Sequence, residues 1–202
     1  MSVAASGRRQ AAANNLTALL QRAAVVTGWV AAVVFVSACG DGHAKADAMV
    51  DVPLCSLTFT ADYGAIQSFD STHAARTSDG GIAFLGALAA GPTADTLDVQ
   101  LIQGMGVFKN GPPAAGTYAL TGVETQLSTC GVCVVMEAGT PRSYFAAQSG
   151  TLVIDDASTS FKASISNVTL AHVDVDPNTS VSTIADTCEM HIGSASWDTP
   201  VN

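Results

Sequence analysis

Basic residues are scarce in this sequence, and most of its charge is acidic. The chain has 8 lysine and arginine residues against 17 aspartate and glutamate residues. Three of the basic residues, Arg8, Arg9 and Arg22, lie in the first 38 residues, which contain no acidic residue. The rest of the chain therefore holds five basic residues beside all 17 acidic ones. Because nucleic-acid binding relies on basic patches that neutralise phosphates, this composition argues against a nucleic-acid partner.

Long apolar runs are also missing, and the longest one lies near the N-terminus. The run 23–36 covers about 14 residues, whereas a helix needs roughly 20 to cross a hydrocarbon core. It follows a basic segment without acidic residues, which is the layout of an export signal. The sequence thus predicts that residues 1–38 form a helical signal peptide rather than a permanent membrane span.

The end of this segment carries a motif of its own. Val36-Ser37-Ala38-Cys39 resembles the lipobox of bacterial lipoproteins, in which an aliphatic residue and two small ones precede an invariant cysteine. The resemblance covers only the N-terminus. It implies that residues 1–38 are removed and that the Cys39 thiol carries a diacylglycerol, so that acyl chains anchor the protein in a membrane. The alternative is an ordinary cleaved secretory signal beside a chance cysteine.

The residue after this cysteine bears on which membrane holds the protein. In enterobacterial lipoproteins an aspartate at this place retains the protein in the inner membrane, and Gly40 stands there instead. The resemblance therefore implies the cell envelope, with the outer membrane favoured over the inner one and the domain facing the periplasm or the surface. Residues 39–52 lack periodicity and are predicted to form a lipidated, flexible tether.

No segment after Pro53 shows a convincing helical stripe, although 72–76 could form a single turn. Short runs with period-two alternation occur instead, separated by glycine, proline and aspartate clusters that favour turns. About nine or ten strands in this length predict that residues 53–202 form one all-β domain, an antiparallel β-sandwich or jelly roll. The runs lie at 54–61, 81–88, 96–103, 116–123, 132–137, 151–155, 161–165 and 168–175.

Four further cysteines lie in this domain, and an exported protein would meet an oxidising compartment. Cys55, Cys130, Cys133 and Cys188 allow three pairings. Because Cys130 and Cys133 can bridge locally, we expect the disulfides Cys55–Cys188 and Cys130–Cys133. The Cys-x-x-Cys motif could instead be a redox pair or half of a zinc site, with His191 the nearest companion of Cys188.

Three residues along one predicted strand could ligate a metal. His172, Asp174 and Asp176 alternate and therefore share a face, although the polar outer face of a half-buried strand has the same pattern. The spacing through Asn178 starts like a calcium loop, but Thr179 replaces the required glycine. The outer-face interpretation is favoured, and the sequence predicts no cofactor.

The motifs of several enzyme classes are absent. The chain has no Gly-x-Ser-x-Gly nucleophile motif and no glycine-rich phosphate loop, and 17 scattered acids do not identify a carboxylate pair. We therefore expect a non-enzymatic binding or structural module that contacts an envelope protein or glycan. The alternative is an envelope hydrolase that acts on glycan or peptide through unidentified carboxylates.

Several sequence blocks within residues 95–197 are similar to a group of predicted lipoproteins of Gram-negative bacteria to which no activity is assigned. The resemblance implies a β-fold and an envelope location, and it implies no mechanism. The blocks are 116–122, 129–135, 144–145, 149–154, 164–170, 176–183 and Cys188.

Overall fold

Nine β-strands and two short 3-10 helices make up the part of the chain that this computed structural model describes, residues 53–91 and 93–202. The predicted signal peptide 1–38, Cys39 and the tether 39–52 lie outside the described residues. The 3-10 helices are Gly106–Phe108 and Gly122–Thr125. The strands are β1 Ala65–Ile66, β2 Ser71–Arg76, β3 Ile82–Ala87, β4 Thr96–Leu101, β5 Gly116–Ala119, β6 Val132–Ala138, β7 Ser143–Asp156, β8 Ser160–Val175 and β9 Ser182–Pro200.

The strands form one sheet in the order β1-β9-β8-β7-β6-β4-β3-β2, with β5 added beside β7. Every pairing is antiparallel except that of β1 with β9, so the sheet is mixed. The predicted all-β class and the strand number are confirmed. Among the described residues, no helix is both long and apolar enough to cross a membrane.

The sheet folds over so that distant strands face each other across the core. Phe84 on β3 stacks on Trp197 on β9 with ring centroids 4.5 Å apart, and Phe161 on β8 lies 6.0 Å from Phe84. Since β3 and β9 are far apart in the strand order, these contacts join two layers of a sandwich. Each buried aromatic side chain of this kind contributes roughly 1.5–3 kcal/mol.

Alternation along the strands decides which side chains enter the core. On β4, Leu97, Val99 and Leu101 are buried, whereas Asp98 and Gln100 between them lie on the other face. The period-two pattern of the sequence therefore identifies β4 correctly, and it also identifies β3 and β6.

Several segments differ from the sequence-based prediction. The predicted strand 116–123 ends at Ala119, and 151–155 is part of the longer strand β7. Residues 54–61 form no strand; Thr58 makes an isolated bridge to Thr140, and Ala61 O accepts a hydrogen bond from His191 N at 2.8 Å. Residues 72–76 belong to β2 rather than to a turn. The runs 161–165 and 168–175 join into the single strand β8, and β9 lies outside the predicted runs.

Candidate functional site

Both predicted disulfides are present. Cys55 and Cys188 are 133 residues apart in sequence, with Cα atoms 4.7 Å apart, and Cys130 pairs with Cys133. All four cysteines of the described domain are therefore oxidised. The Cys-x-x-Cys pair closes the loop before β6. Redox-active pairs of this kind usually lie at the N-terminus of a helix, so the setting of this pair differs from theirs.

A buried carboxylate that the sequence analysis did not single out organises this loop. The side chain of Glu124 is buried and accepts three backbone hydrogen bonds. Val107 N donates to Oε1 at 2.9 Å, while Gly131 N and Val132 N donate to Oε2 at 2.8 and 2.6 Å. Because backbone donors satisfy both oxygens, Glu124 fastens the first 3-10 helix to the start of β6.

His172 lies apart from the two aspartates with which it was grouped. Its Nδ1 is 2.9 Å from Oδ2 of Asp186 on β9, and its ring lies 5.4 Å from the ring of the core residue Phe145. Both residues of this hydrogen-bonded pair are largely buried, with exposed side-chain fractions of 14% and 10%. His172 therefore faces the interior at the end of the sandwich, rather than a polar outer face.

The two aspartates that follow on the chain have separate surroundings. Asp174 is exposed on β8. Asp176 begins the turn to β9, where its Oδ1 accepts hydrogen bonds from Asn178 N at 2.8 Å and Thr179 N at 3.0 Å. These donors lower the pKa of Asp176. The carboxylate is thus engaged in a turn motif, and the structure does not bring the three predicted metal candidates together.

A mostly polar patch lies on the side of the β3-β4-β6-β7 layer that faces away from the core, and we call it the outer face. Its members are partly exposed and are neighbours in the strand register, since Asp98 is opposite Leu85 and Val135 while Glu137 is opposite Thr96 and Tyr144. Directly opposite side chains share a sheet face. The outer face comprises Leu85, Thr96, Asp98, Gln100, Val135, Glu137 and Tyr144.

Asp98 is the unusual member of the outer face. Its Oδ2 accepts a hydrogen bond from Gln100 Nε2 at 3.0 Å, whereas its Oδ1 is out of reach of solvent and has no partner among the described residues. Burial raises the pKa of Asp98 to about 6, the Gln100 hydrogen bond lowers it, and the charge of Glu137 raises it further. Asp98 therefore exchanges a proton close to neutral pH.

One cation borders the outer face. Arg142 Nε donates to Glu137 Oε1 at 2.6 Å, and Arg142 Nη2 donates to Thr96 Oγ1 at 3.2 Å. The Glu137 and Arg142 side chains are each 30% exposed. Burial and the nearby charge of Glu137 raise the pKa of Tyr144, which keeps its hydroxyl protonated. The outer face thus offers hydroxyl, amide, carboxyl and guanidinium groups beside an aromatic ring.

The two carboxyl groups of this face are diagonal neighbours. Because Glu137 is opposite Thr96 and Asp98 is two residues further along β4, their Cα atoms are about 7–8 Å apart in such a register. One carboxyl group has a raised pKa, and the other is ion-paired with Arg142. The two carboxyl groups, together with Arg142, therefore offer both a donor and acceptors to a polar ligand.

Comparison of the chain with protein-family models, with curated protein sequences and with solved structures gives no match.

Proposed function

We propose that this protein is a lipid-anchored binding protein of the cell envelope, held through Cys39, whose β-sandwich contacts an envelope glycan or protein. The observation that carries the proposal is the outer face, where polar groups and a tyrosine are gathered on one side of a sheet. The two disulfides support an oxidising compartment outside the cytoplasm.

The chemistry of the outer face favours a glycan over a protein surface. Sugar hydroxyls both donate and accept hydrogen bonds, and the amide of Gln100, the carboxylate of Glu137 and the guanidinium of Arg142 complement both roles. The ring of Tyr144 adds an amphipathic surface on which a sugar ring can pack. Recognition sites of this kind combine apolar surface with a few polar groups that fix orientation.

The anchor is tested by changing Cys39→Ala. We expect the wild-type protein to fractionate with membranes and to incorporate labelled fatty acid, and we expect the variant to lose the label. An equal incorporation of fatty acid by the variant would exclude Cys39 as the site of lipidation.

The binding role is tested by capturing solubilised envelope glycan and protein with the purified chain. We expect the glycan fraction to be retained in preference to the protein fraction. Retention of protein alone would redirect the proposal to a protein partner, and retention of neither would contradict it.

A second candidate function is an envelope hydrolase that uses Asp98 and Glu137. The raised pKa of Asp98, about 6, favours it, because a general acid must keep its proton near neutral pH. Against it, Oδ1 of Asp98 is buried away from solvent and Glu137 is ion-paired. Release of reducing ends or new amines from envelope material by the wild-type chain, abolished by Asp98→Asn, would establish the hydrolase.

A further inference from the structure

The end of the sandwich that carries the Cys55–Cys188 disulfide also gathers the donor atoms of a metal site. One ligand atom each from His172, Asp186 and Cys188 lie within 4.8 Å of one another. A fourth sulfur, that of Cys55, lies beside this group, because it is bonded to the sulfur of Cys188. In the oxidised protein the two sulfurs are occupied by each other, which leaves only the His172–Asp186 pair.

We propose that Cys55, Cys188, His172 and Asp186 form a tetrahedral zinc site when this disulfide is reduced. Two thiolates, one imidazole and one carboxylate are ligands that zinc takes in four-coordinate structural sites. Bond lengths of about 2.0–2.3 Å place tetrahedral donors about 3.3–3.8 Å apart. The donor atoms of His172, Asp186 and Cys188, which lie within 4.8 Å of one another, thus have to approach by at most about 1–1.5 Å. The Cys55 sulfur has to move away from that of Cys188 by about 2 Å once the S–S bond is broken.

An irregular stretch of β9 brings two of these ligands to His172. Ala171 is opposite Glu189 and Val173 is opposite Ile184, so the single residue His172 faces the stretch 185–188. This bulge contains both Asp186 and Cys188. Bulges re-aim side chains that a regular ladder would point elsewhere, and here the bulge turns two potential ligands towards one imidazole.

Hydrogen bonds also join the segment of Cys55 to the bulge. Thr187 N donates to Pro53 O at 3.0 Å, and Cys55 N donates to Thr187 Oγ1 at 2.9 Å. The segment that carries Cys55 is therefore joined to the bulge by two contacts that reduction does not break.

The surroundings also suit a bound cation. Asp186 Oδ1 accepts the Cys188 backbone N–H at 2.7 Å, which orients the carboxylate and leaves Oδ2 directed at His172. The ring of Phe145 packs against His172, and Phe59 lies 4.8 Å from Phe145. A hydrogen-bonded ligand inside an apolar wall is the setting that raises metal affinity.

The chemistry balances with a dithiol as the reductant. The dithiol transfers two electrons to the S–S bond and becomes a cyclic disulfide, while Cys55 and Cys188 become thiols. Zinc then displaces the two thiol protons and any proton that His172 shares with Asp186. A metal would thus join the same two segments that the disulfide joins. This inference is independent of the proposed binding function.

The test uses the full chain with Cys39→Ala, purified in detergent, so that only the four domain cysteines remain. Cobalt(II) serves as the probe, because its thiolate charge-transfer and tetrahedral d–d bands report sulfur ligation. We expect one cobalt per chain after dithiol reduction and none before it. Zinc should displace the cobalt, and a reduced chain that loses its β-sheet circular dichroism should regain it on adding zinc.

Matched variants identify the ligands. His172→Asn and Asp186→Asn should each weaken cobalt binding by at least about tenfold, since even outer-shell partners of a metal contribute that much. Cys130→Ser combined with Cys133→Ser should leave binding unchanged. The Cys55→Ser variant needs no reductant to free Cys188, and it should still bind cobalt through the three remaining ligands. It therefore tests the site even if reduction unfolds the wild-type chain.

Two results would overturn the proposal. One is the absence of cobalt binding in both the reduced chain and the Cys55→Ser variant. The other is binding that survives His172→Asn and Asp186→Asn but is lost in the Cys130, Cys133 variant, which would assign it to the Cys-x-x-Cys pair.

Discussion

Glu124 lies inside the sandwich, and Asp98 lies at its surface layer. Both side chains are carboxylates, but they differ in how many hydrogen bonds they accept. Glu124 accepts three backbone hydrogen bonds that satisfy both of its oxygens. Asp98 accepts one side-chain hydrogen bond, and its second oxygen is buried without a partner among the described residues. Burial raises the pKa of Asp98, as expected for a carboxylate with too few donors.

This difference in hydrogen bonding identifies Glu124 as a structural carboxylate and Asp98 as a candidate functional one. A satisfied buried acid fixes the backbone around it, and its loss leaves unpaired donors. An unsatisfied buried acid costs stability, and proteins retain such groups mainly where they serve a ligand or a reaction. The loop held by Glu124 and the outer face around Asp98 should therefore respond to mutation in opposite directions.

Replacing Glu124→Ala should have the largest effect. The change leaves the buried N–H groups of Val107, Gly131 and Val132 without an acceptor, and we expect unfolding to become easier by about 4 kcal/mol. Urea denaturation followed by circular dichroism measures this. Glu189→Ala, at an exposed position of β9, is the control and should stay within about 0.5 kcal/mol. A loss no larger than that of the control would contradict the structural role of Glu124.

Gly106→Ala should destabilise the same loop by straining its backbone. Gly106 has φ +43°, and a Cβ there would collide with Glu124 Oε1 and with Gly131 N. We expect a loss of about 2 kcal/mol, measured as a lower urea midpoint. Gly111→Ala is the matched control, because a Cβ at Gly111 meets no atom within 4 Å. Equal midpoints for the two variants would show that the loop can rearrange.

Asp98→Asn should act in the opposite direction and depend on pH. The folded protein binds this proton more tightly than the unfolded chain, with a pKa of about 6 against a reference of 3.8. Its favourable contribution is therefore complete below the reference pKa and is lost as pH rises through about 6. We expect the variant to be more stable than wild type by about 1–2 kcal/mol at pH 7.5, with the difference shrinking towards pH 4.

Urea midpoints measured from pH 4 to pH 8 provide the test of Asp98→Asn. Asp174→Asn, at an exposed position on β8, is the control. A constant stability difference across this range would mean that Asp98 has an ordinary pKa, and the contrast with Glu124 would then disappear.

Glu137→Gln should have the smallest effect on stability, within about 0.5 kcal/mol, because its ion pair with Arg142 is partly exposed. It should still lower the pKa of Asp98, since the negative charge of Glu137 raises that pKa. An NMR titration of the Asp98 carboxyl measures the shift. An unchanged or higher pKa in the variant would show that the two carboxyl groups do not interact.

The sequence predicted those features that depend on local alternation and on simple pairing. The period-two pattern identified β3, β4 and β6, and the separation of the cysteines favoured the observed disulfides. The extent of the strand β9 was harder to predict because 193–196 consists of glycine, serine and alanine, which have little β-propensity. Its neighbour β8 and the tertiary packing of Trp197 determine its conformation.

The candidate sites depend on which residues of neighbouring strands lie opposite one another, and local sequence patterns do not determine this register. The alternation along 96–103 predicts a strand that contains Asp98, but Leu85 and Val135, which lie opposite Asp98, belong to two other strands. The pairing of His172 with Asp186 requires the bulge in β9. No single-sequence signal fixes such a bulge, so His172 was grouped with the wrong aspartates.

The central claim is that the outer face binds the ligand of this protein, and capture of envelope glycan by outer-face variants tests it most directly. The wild-type chain is compared with Glu137→Gln combined with Tyr144→Ala, and with the control Thr151→Ala combined with Ser166→Ala on paired positions of β7 and β8. We predict that capture falls by more than about tenfold in the outer-face variant and is unchanged in the control. Equal capture by all three chains would contradict the claim.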